Sequence, residues 1–253
     1  MPIHLIEQLS SPIIYAHRGA SKYAPENTLA AFKLAFEQSA MAIELDVKLS
    51  VDDAVVVIHD QTVDRTTNGT GKVVELTHTY LKSLDAGFFF SQKYQGEKIP
   101  TLDEVFELTK GKYLVNIELT NYSTPNDQLI FRVAELVKKH MIQDSVIFSS
   151  FLPWNLSRMK HYFPDIPMGL LTMNGIPGGL ERSFLFRKIS PNYIHPEIKD
   201  VSIAYISSEH DHHRKVNVWT VNDVIKIKWL IEAGVDGIIT DDPLIALKLK
   251  NEM

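Results

Sequence analysis

Eight short apolar runs, rich in Ile, Val and Tyr, recur along the chain, with a helix-period segment between most neighbours. The strand candidates are 13–17, 42–47, 113–119, 145–150, 168–172, 192–196, 216–221 and 236–240. Helical patterns cover 28–39, 126–140, 153–162, 178–188, 200–212, 222–233 and 242–251. Strands alternating with helices argue for a parallel sheet with crossover helices, and eight such units close naturally into a (β/α)8 TIM barrel. An open doubly wound sheet is the alternative. No GxGxxG follows the first strand, which weighs against its dinucleotide-binding version. A length of 253 residues suits one such domain, spanning 1–253.

One spacing breaks the rhythm. Between the second run and 113–119 lies a long segment holding a further strand (54–60), the turn-rich 66–72, a short helix near 77–84, the aromatic run Phe88, Phe89, Phe90, and a helix from Leu102. A connection that long is usually functional or a small subdomain. We read 50–100 as an insertion over one end of the barrel, with the three phenylalanines as its own core.

Composition excludes several chemistries. The chain has no cysteine, so disulfides, zinc–thiolate sites and cysteine nucleophiles are out. A net charge of -5, from 26 basic and 31 acidic residues, gives no basic footprint for nucleic acid. An anionic substrate therefore needs local positive charge, from a metal or a placed arginine. The apolar stretches are strand-sized, too short for stable membrane insertion, and no basic-then-apolar leader opens the sequence. A cytoplasmic protein is the expectation. Nothing in the pattern sets an oligomeric state.

Glu44 and Asp46 sit at i and i+2 of one strand, opposite Ile43, Leu45 and Val47, so the two acids share a face. In a barrel the apolar face meets the helices and the acids point inward, toward the end where barrel active sites lie. Glu118 follows the same logic. Three carboxylates at one mouth repel one another, and a divalent cation is the simplest remedy. Oxygen-only ligands favour Mg²⁺ or Ca²⁺ over zinc. The alternative is solvated acids or ion pairs with lysines.

His17 and His59 each close an apolar β run, and a histidine there can serve as general acid or base. Each alone is better read as structural; three acids on the same face turn the balance. Arg18 is suited to a bidentate grip on phosphate, with an ion pair to Glu26 or one of the acids as the alternative. Asn27 or Thr28 caps the first helix, with a role in orienting His17 open for the segment. Trp219 forms a pocket wall or packs in the barrel. His210, His212 and His213 read as a solvated helix face, His195 as a residue that could line the mouth, and Asp241-Asp242-Pro243 as a capped turn.

The motifs AHRGASKYAPENT (16–28), ELDVKLSVDDAVVVIHDQTVDRTTNGTG (44–71), LDAGFFF (84–90), IPTLDEVF (99–106), NIEL (116–119), VWTVN (218–222) and GVDGIITDDP (234–243) together resemble the glycerophosphodiester phosphodiesterase family over nearly the whole chain. The resemblance implies a TIM barrel with a small insertion after the second strand. It implies hydrolysis of a small-molecule glycerophosphodiester to glycerol 3-phosphate and an alcohol. It implies His17 and His59 as the acid–base pair, Glu44, Asp46 and Glu118 as metal ligands, and Arg18 as a phosphate contact. We assign His17 as base and His59 as acid. The nucleophile is water or the glycerol 2-hydroxyl. One position departs: the family's motif commonly runs NIE-x-Lys, and here Thr120 stands in place of the lysine. On that reading Thr120→Lys raises kcat/KM, unless Lys48 or Arg18 already fills the role. Two competing readings are a phospholipase C- or D-like enzyme of similar build, needing a lipid-facing apolar rim, and a non-catalytic phosphoester-binding barrel.

Overall fold

A computed structural model describes residues 4–175 and 192–253. Its frame is a closed ring of eight parallel strands: β1 (Ile13–His17), β2 (Ala42–Leu49), β4 (Leu114–Leu119), β5 (Val146–Ser150), β6 (Met168–Thr172), β7 (Tyr193–Pro196), β8 (Lys215–Val218) and β9 (Gly237–Thr240). Pairing of β1 with both β9 and β2 closes the barrel. Helices follow most strands: α2 (Leu29–Glu37), α4 (Leu102–Thr109), α5 (Leu129–His140), α6 (Pro153–Tyr162), α7 (Ile203–Asp211), α8 (Val224–Glu232) and α9 (Pro243–Glu252). A short α1 (Leu5–Gln8) precedes β1. The helix expected over 178–188 lies outside the described residues.

The period-two pattern of each strand divides its side chains between two cores. Outward residues such as Ile43, Leu45, Val47, Ile117 and Phe148 pack with Phe32, Ala35, Phe106 and Val133 of the helices. Each such side chain contributes on the order of 1.5–3 kcal/mol when fully buried. Inward, Ile13, Ala42, Leu114 and Ile147 fill one end of the barrel, with Ile6 of α1 packed on them. The layer above is polar: Asn116, Ser149, His195 and Asn217 are all buried. Two glycines make room for it. A Cβ at Gly169 would strike the His195 ring, and one at Gly237 the Asn217 amide. His195 therefore lies inside the barrel, where burial lowers its pKa to about 3 and keeps the ring neutral.

Between β2 and β4, β3 (Val55–Val57) returns antiparallel along the C-terminal half of β2, with Val47 opposite Val57. Beyond it, α3 (His78–Ser83) and its loops close over a separate apolar cluster of Val56, Ile58, Val63, Val73, Leu81, Leu84, Ala86 and Ile99. The phenylalanine run is not part of that cluster. Phe88, Phe89 and Phe90 are 48%, 63% and 42% exposed. Aliphatic residues already fill the small core.

Candidate active site

The inward residues at the C-terminal halves of β1, β2 and β4 meet at one level. His17 stands beside Glu44, and Asp46 beside Glu118. One carboxylate oxygen from each of Glu44, Asp46 and Glu118 lies within 4.8 Å of the others. Glu44 Oε1 and Asp46 Oδ1 are buried without a hydrogen-bond partner. Burial, followed by the charges of Asp46 and Glu118, pushes Glu44 well above the usual carboxylate range. Burial and the Asp46 charge push Glu118 up to about 8. Orphaned acceptors and mutual repulsion are the state that a bound cation relieves, so the residues fit a divalent metal with oxygen ligands.

The acids are also held from outside. Asn27, at φ 57, donates from Nδ2 to Asp46 Oδ2 at 2.9 Å. Its role is to orient Asp46 rather than His17. Thr28 is the cap of α2, accepting from the Ala31 amide. The Tyr122 hydroxyl donates to Glu118 Oε1 at 2.5 Å. Backbone N–H of Arg18, presented by a left-handed turn at Arg18 and Gly19, donates to Glu44 Oε2 at 3.1 Å.

Each histidine has its Nδ1 held by an aspartate. His17 Nδ1 meets Asp241 Oδ1 at 2.5 Å, and His59 Nδ1 meets Asp60 Oδ1 at 2.7 Å. That fixes Nε2 of both rings as the nitrogen available for proton transfer. His17 Nε2 is 3.9 Å from Glu44 Oε2. Asp241 is half-buried, yet hydrogen bonds and charge from His17, with hydrogen bonds from Asn222 and Ser21, hold its pKa below the ordinary value. The cap of α9 is its neighbour Asp242, which accepts from the Ile245 amide.

Arg18 contacts both families of groups: Nε is 3.1 Å from Asp46 Oδ2, and Nη1 is 2.9 Å from Glu26 Oε1. Arg65 of the insertion continues the chain. It contacts Glu26 through Nη1 and Nη2 at 2.8 and 2.7 Å, and Asp60 through Nε and Nη2 at 2.6 and 3.1 Å. One guanidinium thus ties the partner of His59 to the partner of Arg18. The Arg65 hydrogen bonds, against some burial, hold Asp60 at about 2.

A lysine of the neighbouring strand reaches Thr120. Lys48 Nζ donates to Thr120 O at 2.7 Å and to Thr120 Oγ1 at 2.9 Å. Burial lowers its pKa to about 8, despite the Asp46 and Glu118 charges.

A cavity of about 70 Å³ is lined by His17, Arg18, Glu44, His59, Glu118 and Trp219, with Asn116, Phe151, Leu171 and Ile239 among its other walls. Trp219 is pinned by a 2.7 Å bond from Nε1 to His195 O and by an edge contact with Phe151. It is both packed and a wall. Phe151, Asp241, Tyr122 and Arg65 had no local sequence signal of a role; Asp241 is 224 positions from the histidine it meets.

Residues 17–245 match the profile of the Glycerophosphoryl diester phosphodiesterase family. The chain belongs to that family. A glycerophosphodiester phosphodiesterase of Caldanaerobacter subterraneus subsp. tengcongensis is 41% identical over 94% of this chain and 97% of its own length. One from Bacillus altitudinis is 36% identical over 95% and 98%. Among solved structures, an Oleispira antarctica phosphodiesterase in complex with the product sn-glycerol-3-phosphate superposes with TM-score 0.88 at 32% identity, covering 95% of this chain and 97% of that one. Among the described residues no helix is long and apolar enough to cross a membrane.

Proposed function

We propose that this chain hydrolyses glycerophosphodiesters to sn-glycerol 3-phosphate and an alcohol, with a divalent cation, Mg²⁺ or Ca²⁺, held by Glu44, Asp46 and Glu118. The observation that carries this reading is the convergence of three carboxylates, Glu44 and Asp46 buried and Glu118 half-buried, beside one small cavity that two aspartate-held histidines line. The product named for the Oleispira relative, which shares the fold nearly end to end, points to the same substrate class.

The chemistry follows from the residues. A phosphodiester carries a negative charge that repels a nucleophile. Bound by the three acids, the cation would draw electron density from a phosphoryl oxygen and offset their charge. Arg18, which lines the cavity, adds a fixed positive charge for the phosphate. Its backbone N–H and its Nε keep Glu44 and Asp46 in register with it. His17, with Nδ1 on Asp241, takes the proton of the nucleophile at Nε2; either water or the glycerol 2-hydroxyl serves. His59, with Nδ1 on Asp60, gives a proton to the departing alkoxide, which is otherwise a poor leaving group. The imidazolium that forms on His17 is stabilised by Asp241.

The test is release of sn-glycerol 3-phosphate from glycerophosphocholine, before and after chelation. Chelator should abolish turnover, and added Mg²⁺ or Ca²⁺ should restore it. Full turnover in chelator after dialysis would remove the cation from the reading. Absence of product from a panel of glycerophosphodiesters would remove the reaction.

A further inference from the structure

The deeper end of the catalytic cavity carries a residue with no part in the reaction described above. Resting on the phosphodiesterase reading, we propose that Asn116 recognises the glycerol end of the substrate, its side-chain amide pairing with the adjacent hydroxyls of the glycerol moiety. Asn116 is then a specificity-determining residue, and the departing alcohol stays toward the mouth.

Position and pairing both single it out. Asn116 lies on β4 two residues before Glu118, so it shares the inward face one step deeper, and it stands in register beside Glu44. Of the residues lining the catalytic cavity, Arg18, Glu44 and Asn116 carry buried polar atoms that lack a hydrogen-bond partner among the described residues. Arg18 Nε has the Asp46 carboxylate at 3.1 Å, and Glu44 belongs to the acid cluster that fits a cation. Asn116 has neither relief. It is 1% exposed, and its Oδ1 and Nδ2 are both unpartnered. A buried donor and acceptor left unmade are costly, and native structures rarely keep such a pair except where a ligand or water takes it.

The amide decides what it takes. Oδ1 needs a donor and Nδ2 an acceptor. A phosphate oxygen supplies acceptors only, and the quaternary ammonium of a choline supplies neither. A cation engages Oδ1 alone and leaves Nδ2 unmet. A vicinal pair of hydroxyls answers both: one donates to Oδ1 while its neighbour accepts from Nδ2. The space agrees. The cavity of about 70 Å³ has room for roughly five waters, the scale of a three-carbon polyol. Its apolar walls, Phe151, Leu171, Trp219 and Ile239, offer packing to the carbon skeleton. The reaction itself is unaltered.

The experiment measures binding to the Mg²⁺-loaded protein by calorimetry, with sn-glycerol 3-phosphate, n-propyl phosphate and inorganic phosphate as probes. Propyl phosphate keeps the phosphate and the carbon skeleton and lacks both hydroxyls. The unaltered chain should bind sn-glycerol 3-phosphate about ten- to a hundredfold more tightly than propyl phosphate, the usual cost of a buried donor and acceptor left unpaired. In Asn116→Leu, and in Asn116→Ala should the larger side chain unfold the barrel, that ratio should fall by about tenfold or more, with inorganic phosphate and Mg²⁺ bound as before. Equal affinity for the two esters in the unaltered chain overturns the proposal without any variant. So does a ratio that survives in the variants, which gives the hydroxyls to another group. Loss of Mg²⁺ affinity in the variants assigns Oδ1 to the cation and also overturns it. Glycerophosphocholine turnover on the unaltered protein reports the phosphodiesterase reading separately. Turnover with equal affinities for the two esters spares that reading, whereas absence of both turnover and sn-glycerol 3-phosphate binding removes it and this proposal with it.

Discussion

Replacing Thr120 with lysine would set a second ammonium against Lys48. The Lys48 Nζ already donates to both the carbonyl and the hydroxyl of Thr120, at 2.7 and 2.9 Å, in a buried position between β2 and β4. Two positive charges about 4 Å apart interact by about 4 kcal/mol at the effective dielectric suited to protein sites. Attraction of the new charge to Glu118 and Asp46 offsets part of this. The substitution also removes the 2.8 Å bond from Thr120 Oγ1 to Val47 O, a loss of about 1 kcal/mol. A net destabilisation of about 2–4 kcal/mol follows, and at roughly 2–4 °C per kcal/mol for a chain of this size the melting temperature should fall by several degrees. Strand ends displaced here carry Asp46 and Glu118, so kcat/KM should fall as well, by about fivefold to thirtyfold if half of that energy is felt at the reacting centre. Of the two outcomes the sequence leaves open at this position, this is the fall expected where Lys48 already stands beside it. Moving the charge is the control: Lys48→Thr/Thr120→Lys keeps one ammonium and should recover most of both losses. Thermal unfolding and glycerophosphocholine kinetics on the two single variants and the double variant read the outcome. A Thr120→Lys variant that is faster than the unaltered chain and equally stable would refute the reasoning. So would a double variant no better than the worse single one.

The acid cluster should make metal stabilisation depend on pH. Without metal, Glu118 at about 8 holds a proton that the unfolded chain has already released, so stability should fall as pH rises from about 4.5 to about 8. The melting-temperature gain from Mg²⁺ or Ca²⁺ should therefore widen across that window, and a gain constant in pH would contradict it. His17→Ala and His59→Ala should each lower kcat by at least about a hundredfold with folding retained. Their combination should be little worse than the worse single variant, since the pair acts as a unit; near-normal turnover in either would dismiss the two-histidine mechanism. Gly169→Ala should press on the buried His195 ring and cost about 1–3 kcal/mol, seen as a lower melting temperature, whereas an unchanged one would mean the ring has room to move.

Most of the barrel was legible because its signal is local. Strands and helices show in the sequence as two different periods, and the shared face of Glu44 and Asp46 follows from their spacing alone. Glu118 falls in register beside Asp46 for the same reason. Two kinds of fact were not legible. A run of three phenylalanines has no period, so nothing in it tells an inner from an outer face, and the aliphatic cluster that displaces it is dispersed between Val56 and Ile99. Partners distant in sequence leave no local trace either: Asp241 reads as half of a capped turn, and only closure of the ring brings β9 beside β1 and the carboxylate onto His17.

Arg65 shows what such non-local contacts do for the site. His59 and Asp60 stand on the insertion, whereas Arg18 and Glu26 stand on the barrel after β1. Within a loop, His59 would be free to drift relative to His17, and a displacement of about 1 Å at a reacting group is enough to cost orders of magnitude in rate. The Arg65 guanidinium contacts both Asp60 and Glu26, and Glu26 contacts Arg18, so the two histidine arms are joined through paired charges rather than through apolar packing. A single such pair at a surface contributes little, but a planar guanidinium gripping two carboxylates fixes direction as well as distance. The insertion is in this respect part of the frame of the candidate site, and the geometry of the proposed acid–base pair depends on a residue that belongs to neither the barrel nor the proposed reaction.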